Sequence, residues 1–141
     1  RFFTVYGPRQ RPDLAIKKFV GKIKRNETIE MYGDGSSARD YTYIQDTISG
    51  VIAAWNYLKS NNKVYEIMNL GNKSPITLKE LINTLYELLE KTPNVIELPM
   101  KPGDVNITFA EINKAKDLLG YNPKTSLTEG LREFLNWENE N

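Results

Sequence analysis

With 141 residues, 40% of them hydrophobic and 26% charged, the chain has the composition of an ordinary soluble globular domain and the length for one hydrophobic core. Nineteen basic side chains against eighteen acidic ones leave a net charge of +1, too balanced for bulk attraction to a polyanion, so any anion site must be local. The absence of both cysteine and histidine excludes disulfides and leaves neither zinc nor thiol chemistry to be expected.

Apolar periodicity alternates between two and about 3.6, the pattern of an α/β layout. "FFTVYG" reads as a strand closed by Gly7 and Pro8. Pro12 and Asp13 then open a helix whose Ile16, Phe19, Val20 and Ile23 share one face, with Lys17, Lys18, Lys22, Lys24 and Arg25 on the other. "TIEMYG" is a short strand, "GDGSS" a turn, and "RDYTYI" a resumed strand. The next helix carries Ile48, Val51, Ile52, Trp55 and Leu58 along one apolar face. "VYEIMNLG" is apolar on both parities at several positions, which predicts a strand buried on both faces.

Thr77 and Glu80 have capping-box spacing ahead of a helix that should bury Leu78, Leu81, Ile82, Leu85 and Leu89. "NVIELP" follows as a strand, "KPGD" as a loop, and "NITFAEI" as an extended segment or loop. A helix over "NKAKDLLG" should stop at Gly120, with Pro123 beyond it. Ser126 and Glu129 repeat the capping-box spacing before a last helix with Leu127, Leu131, Phe134 and Leu135 on its apolar face. There is no repeat, low-complexity tract or evident linker.

No apolar run approaches the roughly 18 residues of a membrane-spanning helix. The first residues lack the basic region, apolar stretch and cleavage site of a secretory signal. A cytoplasmic protein without a membrane partner is the expectation. Without histidine there is no Ser-His or Cys-His nucleophile pair; glycine-rich phosphate and dinucleotide loops are missing from the sequence, and no tyrosine is followed four positions later by lysine. What remains is a set of loop residues: Thr4 with Arg9 and Arg11, Arg39 in "GDGSSARDY", and Lys101 with Asp104 in "MKPGD". Three loops each contribute a cation, as a diphosphate or a carboxylate ligand requires.

"RFFTVYGPR", "YGDGSSARDYTYIQDTISGV", "VYEIMNLGN" and "PGDVNITFAEINKAKDLLGYNPKTSLTEGL" together resemble, in order and over essentially the whole chain, the C-terminal part of extended short-chain dehydrogenase/reductases acting on nucleotide sugars. "FFTVYGPRQRPDLA" looks most like UDP-glucuronate 4-epimerases. The resemblance implies that residues 1–141 form a small mixed α/β substrate-binding domain of a larger enzyme, whose Gly-rich, NAD-binding Rossmann half with its Tyr-x-x-x-Lys is not in this chain. By the same comparison, "RFFTVYG" and "VYEIMNLG" would join the Rossmann sheet with the Trp55 helix beside it, and apolar faces left uncovered there would favour self-association.

The resemblance assigns Arg39 to the nucleotide diphosphate, although a salt bridge to Asp34 or Asp40 would also account for it. It assigns Asp104 to the ribose hydroxyls, with loop capping at Gly103 as the alternative. Lys101 stands where many relatives carry arginine or another polar residue, so a phosphate contact and a solvated lysine both fit. Ile29, Glu30 and Met31 lie where the family's strand lines the uracil, though core packing explains the apolar pair equally well. Thr4 and Arg11 would hold a sugar carboxylate; a strand residue and a solvent-facing charge are the plain alternatives.

The implied reaction is transient oxidation at C4 by NAD, rotation of the 4-keto sugar and hydride return, with this chain supplying binding and orientation. No residue here serves as a catalytic acid or base for it, so the chain alone, binding no NAD, should be inactive. A UDP-glucose/galactose epimerase, a nucleotide-sugar dehydratase, or a non-catalytic nucleotide-sugar-binding module are the alternatives. The lysine-rich helix face, lacking interleaved aromatics for stacking, is read as solvated rather than as a nucleic-acid site.

Overall fold

Alternating strand and helix signals give the order β1 (Thr4–Tyr6), α1 (Ala15–Lys24), β2 (Ile29–Tyr32), β3 (Ala38–Arg39), β4 (Tyr41–Tyr43), α2 (Ile44–Ser60), β5 (Ile76–Thr77), α3 (Leu78–Leu88), β6 (Val95–Leu98), α4 (Asn113–Leu119) and α5 (Leu127–Glu140). These come from a computed structural model that describes residues 1–100 and 102–140. The strands pair two by two: β1 with β4 and β2 with β6 in parallel, β3 with β5 antiparallel. The mixed α/β class expected from the sequence is the one observed.

Helix ends follow their local chemistry. The Thr77 hydroxyl accepts from the Glu80 amide at 3.1 Å, forming the hydroxyl half of the expected box. At α5 both halves form: the Ser126 amide donates to Glu129 Oε2 at 2.9 Å, and the Glu129 amide donates to Ser126 Oγ at 3.3 Å. Helix α4 ends where Gly120 takes φ 66°, a left-handed conformation that costs little without a Cβ, and its amide donates to the Lys116 carbonyl.

The main core gathers Ile16, Val20 and Ile23 of α1, Leu81, Ile82 and Leu85 of α3, and Leu131 and Phe134 of α5 around Tyr6, Ile29 and Tyr43. Each fully buried leucine there stabilises the fold by roughly 1.5–3 kcal/mol relative to exposure. A smaller cluster joins Leu70, Ala110, Ile112, Ala115 and Tyr121. Among the described residues no helix is long and apolar enough to cross a membrane.

Three sequence expectations change. "RDYTYI" is not one strand: it divides at Asp40, so that β3 pairs with β5 while β4 pairs with β1. "VYEIMNLG" forms no strand; it is joined to the residues ahead of β1 by an isolated bridge between Leu70 and Phe2 and a few backbone hydrogen bonds, and Tyr65 and Ile67 are exposed. A segment apolar on both parities needs a ladder beside it and cover on both faces, and neither is built here. Helix α2 forms over the expected residues, but it buries Thr47 and Gly50, while Ile52, Trp55 and Leu58 are 56%, 63% and 52% exposed. That open face borders a groove of about 440 Å³ lined by Phe2, Val51, Ile67, Leu70 and Leu119.

Candidate functional site

A cleft of about 310 Å³ opens between the start of α1, strands β2 and β3, and the loop after β6. Strand alternation decides what β2 offers it: Ile29 and Met31 turn into the core, 0% and 4% exposed, while Glu30 and Tyr32 line the cleft. The side chains of Ile29 and Met31 are therefore turned away from the cleft. Both belong to the hydrophobic core, the alternative already open for that pair.

Arg39 lines the cleft and is half-buried. Its Nη1 donates to the Ala38 carbonyl at 2.9 Å and to the Val105 carbonyl at 2.6 Å. Neither suggested salt bridge forms: Asp34 accepts from the Ser36 amide and hydroxyl, and Asp40 is taken up by backbone amides. Two carbonyls thus hold one nitrogen of the guanidinium, leaving its other donors for an acceptor in the cleft. The same bond ties down the loop that carries Asp104, an exposed carboxylate lining the same cleft just after Gly103 at φ 87°. Arg39 and Asp104, predicted to act together, are brought to one cavity.

Electrostatics there are set by burial and local bonds. Burial pushes the Tyr41 phenol above its ordinary range, opposed by the Arg39 charge. The Ser36 hydroxyl, followed by its amide, holds Asp34 below the ordinary carboxylate value. That turn's stabilisation is complete above the ordinary titration range of the carboxylate and is lost as pH falls through the lowered value.

Thr4 and Arg11 are not gathered with them. Thr4 opens β1, in register with Tyr41, and lines neither the cleft nor the small pocket of the Gly7-to-Arg11 loop. Arg11 lines that small pocket and pairs with Asp13, donating to its two carboxylate oxygens at 3.1 and 2.9 Å. Lys101 lies outside the described residues. Asp13, Lys18, Tyr32 and Tyr41 are cleft residues that sequence reasoning missed. Only Lys18 gave a signal, as part of a cluster read as solvated. Among the described residues no three carboxylates gather as a metal site.

Residues 1–134 match the family model described as GDP-mannose 4,6 dehydratase. The UDP-glucuronate 4-epimerase of Thermodesulfobacterium geofontis is 43% identical over 142 residues, covering 100% of this chain and 42% of that protein. An uncharacterized protein, MJ1055, of Methanocaldococcus jannaschii is 44% identical over 141 residues, again 100% of this chain and 42% of the relative. The crystal structure of UDP-glucuronic acid 4-epimerase from Bacillus cereus in complex with UDP-glucuronic acid and NAD superposes with a TM-score of 0.90 at 36% identity, over 99% of this chain and 44% of that one. The chain thus spans less than half the length of these relatives. By its family match, its relatives and its fold, the chain belongs to the extended short-chain dehydrogenase/reductase family of nucleotide-sugar epimerases and dehydratases.

Proposed function

We propose that this chain is the nucleotide-sugar-binding part of a UDP-glucuronate 4-epimerase. The observation that carries the reading is the cleft in which Arg39, held by two carbonyls, stands with Asp104 on a loop fastened to it. A planar cation suits a diphosphate and a carboxylate suits ribose hydroxyls, so the pair can fix a nucleoside diphosphate while leaving the sugar outside its grip. In such an enzyme NAD takes and returns the hydride. The chain has no glycine-rich turn ahead of any helix, so its residues do not fit a dinucleotide cradle.

Arg39→Ala should weaken UDP binding by about tenfold or more, as for the loss of a charge-assisted contact. Calorimetry with UDP checks this, and an unchanged affinity would remove the reading. The sugar is open to a second choice, because Arg11 already has Asp13 as its partner. That pairing favours a neutral UDP-hexose, whereas a UDP-glucuronate preference lost in Arg11→Ala would favour the uronate.

The open apolar face of α2 is where the rest of such an enzyme would pack. In its absence the purified chain is expected to self-associate. Sedimentation velocity should give a weight-average mass that rises with concentration, and Trp55→Glu should reduce the rise; a constant monomer mass would contradict the expectation.

A further inference from the structure

Among the described residues, one buried side-chain polar atom has no hydrogen-bond partner: Oε1 of Gln10. Native interiors rarely leave such an acceptor open, because its lost hydration is then not replaced. Gln10 belongs to the loop between β1 and α1 and lines a cavity of about 190 Å³ with Val5, Leu14 and Ile44 among its apolar walls. This cavity shares no lining residue with the Arg39 cleft. Beside Gln10, Arg9 holds a left-handed backbone at φ 63° without being a glycine, and its exposed guanidinium has no partner among the described residues. Strain, an orphan acceptor and an unpaired cation thus meet in one loop.

The place of the cavity says what completes it. Ile44 is the first residue of α2 and heads the stripe of Ile48, Ile52 and Trp55 that the helix leaves exposed. The Gln10 cavity is therefore one end of that apolar face. The matched relatives are more than twice as long as this chain, so each has a further half to set against such a face. A segment that packs along Ile48 and Trp55 and reaches the cavity meets an acceptor at Gln10 and a cation at Arg9. It has to bring a donor for the first and a carboxylate for the second.

We propose that Gln10 is the polar anchor of the contact between this chain and the remainder of the enzyme, its Oε1 accepting from an N–H or O–H donor of that remainder, with Arg9 facing a carboxylate beside it. The inference rests on the reading of the chain as part of a larger enzyme and concerns a residue outside the nucleotide cleft. The apolar face supplies area; the anchor supplies register.

The test is thermal unfolding of residues 1–141 and of the complete enzyme, its reading frame extended upstream of Arg1, each unaltered and with Gln10→Met or Gln10→Glu. Methionine is close to glutamine in shape and has no strong acceptor to strand, so Gln10→Met should raise the midpoint of residues 1–141 by about 2–8 °C. In the complete enzyme it strands the donor instead, and the midpoint should fall by about 2–4 °C. Gln10→Glu keeps an acceptor for that donor and should fall less there than methionine does. Shifts of the same sign in both proteins overturn the proposal, as does a reading frame that supplies no further half. So does a gain in residues 1–141 that vanishes as concentration rises, which would make a second copy the occupant. If the complete enzyme turns over no UDP-sugar while the two signs still oppose, the nucleotide-sugar reading falls and the anchor stands.

Discussion

Asp40→Ala is expected to remove about 3 kcal/mol or more of folding stability, a large share of the 5–15 kcal/mol typical of a domain. The carboxylate is fully buried and lies where four chain segments meet. One oxygen accepts from the Asn72 amide at 2.6 Å; the other accepts from the amides of Lys73 at 3.1 Å and Ala110 at 2.9 Å. Its own amide donates to Thr108 Oγ1, and its carbonyl accepts from the Thr4 amide. Alanine would leave three backbone donors without their acceptor in an interior that water reaches poorly, each a cost of about 1–3 kcal/mol before relaxation. Asparagine keeps one acceptor oxygen but turns an amide toward a donor, so Asp40→Asn should lose less than alanine and still be destabilised. Urea denaturation of the three proteins reads both effects. A loss below about 1 kcal/mol for alanine would mean that the amides find water and that Asp40 is not the junction described.

Gly130→Ala reverses the usual effect of glycine-to-alanine exchange in a helix. Where nothing intervenes, alanine is favoured by about 0.8–1 kcal/mol. At Gly130 a methyl group would run into the hydroxyl and ring of Tyr6. That ring cannot step aside: it is 2% exposed, packs edge-on against Tyr41 and Tyr43 at 6.3 and 5.7 Å, and donates to the Leu127 carbonyl at 3.4 Å. Overpacking of this kind costs about 1–3 kcal/mol, so the variant should be less stable by roughly that amount. Gly21 in α1 is the matched control. A Cβ there meets only the end of the Arg25 side chain, 3.3 Å away, whose exposed pair with Glu27 can shift by the small amount required, so Gly21→Ala should be neutral or stabilising by up to about 1 kcal/mol. A lowered thermal midpoint for Gly130→Ala beside an unchanged or raised one for Gly21→Ala would separate the two sites; a stabilised Gly130→Ala would show that α5 moves away from Tyr6 at little cost.

Helices were the most legible part of the molecule. Ile16, Val20 and Ile23 are buried on α1 as their spacing required, and Ser126 with Glu129 caps α5 as read. Strands were read less well. β5 was not foreseen, since Ile76 and Thr77 are too few to show alternation, and the stretch at Tyr65 and Ile67 had strand composition without a partner. For the cleft, Arg39 and Asp104 were legible through motif resemblance, whereas Lys18 looked like one more member of a charged helix face.

The sequence alone determined what depends on near neighbours in the chain: helix spans, caps, the glycine turns, the absence of cysteine and histidine chemistry, and the ordered motifs that carry the family. Tertiary structure decided the rest. Whether Ile29 or Glu30 faces the cleft depends on which side of β2 the helices cover. Whether Arg39 is spent on Asp40 depends on amides 32 or more residues away in the chain reaching that carboxylate first. Such outcomes belong to contacts between distant segments, and local periodicity carries no information about which of them will meet.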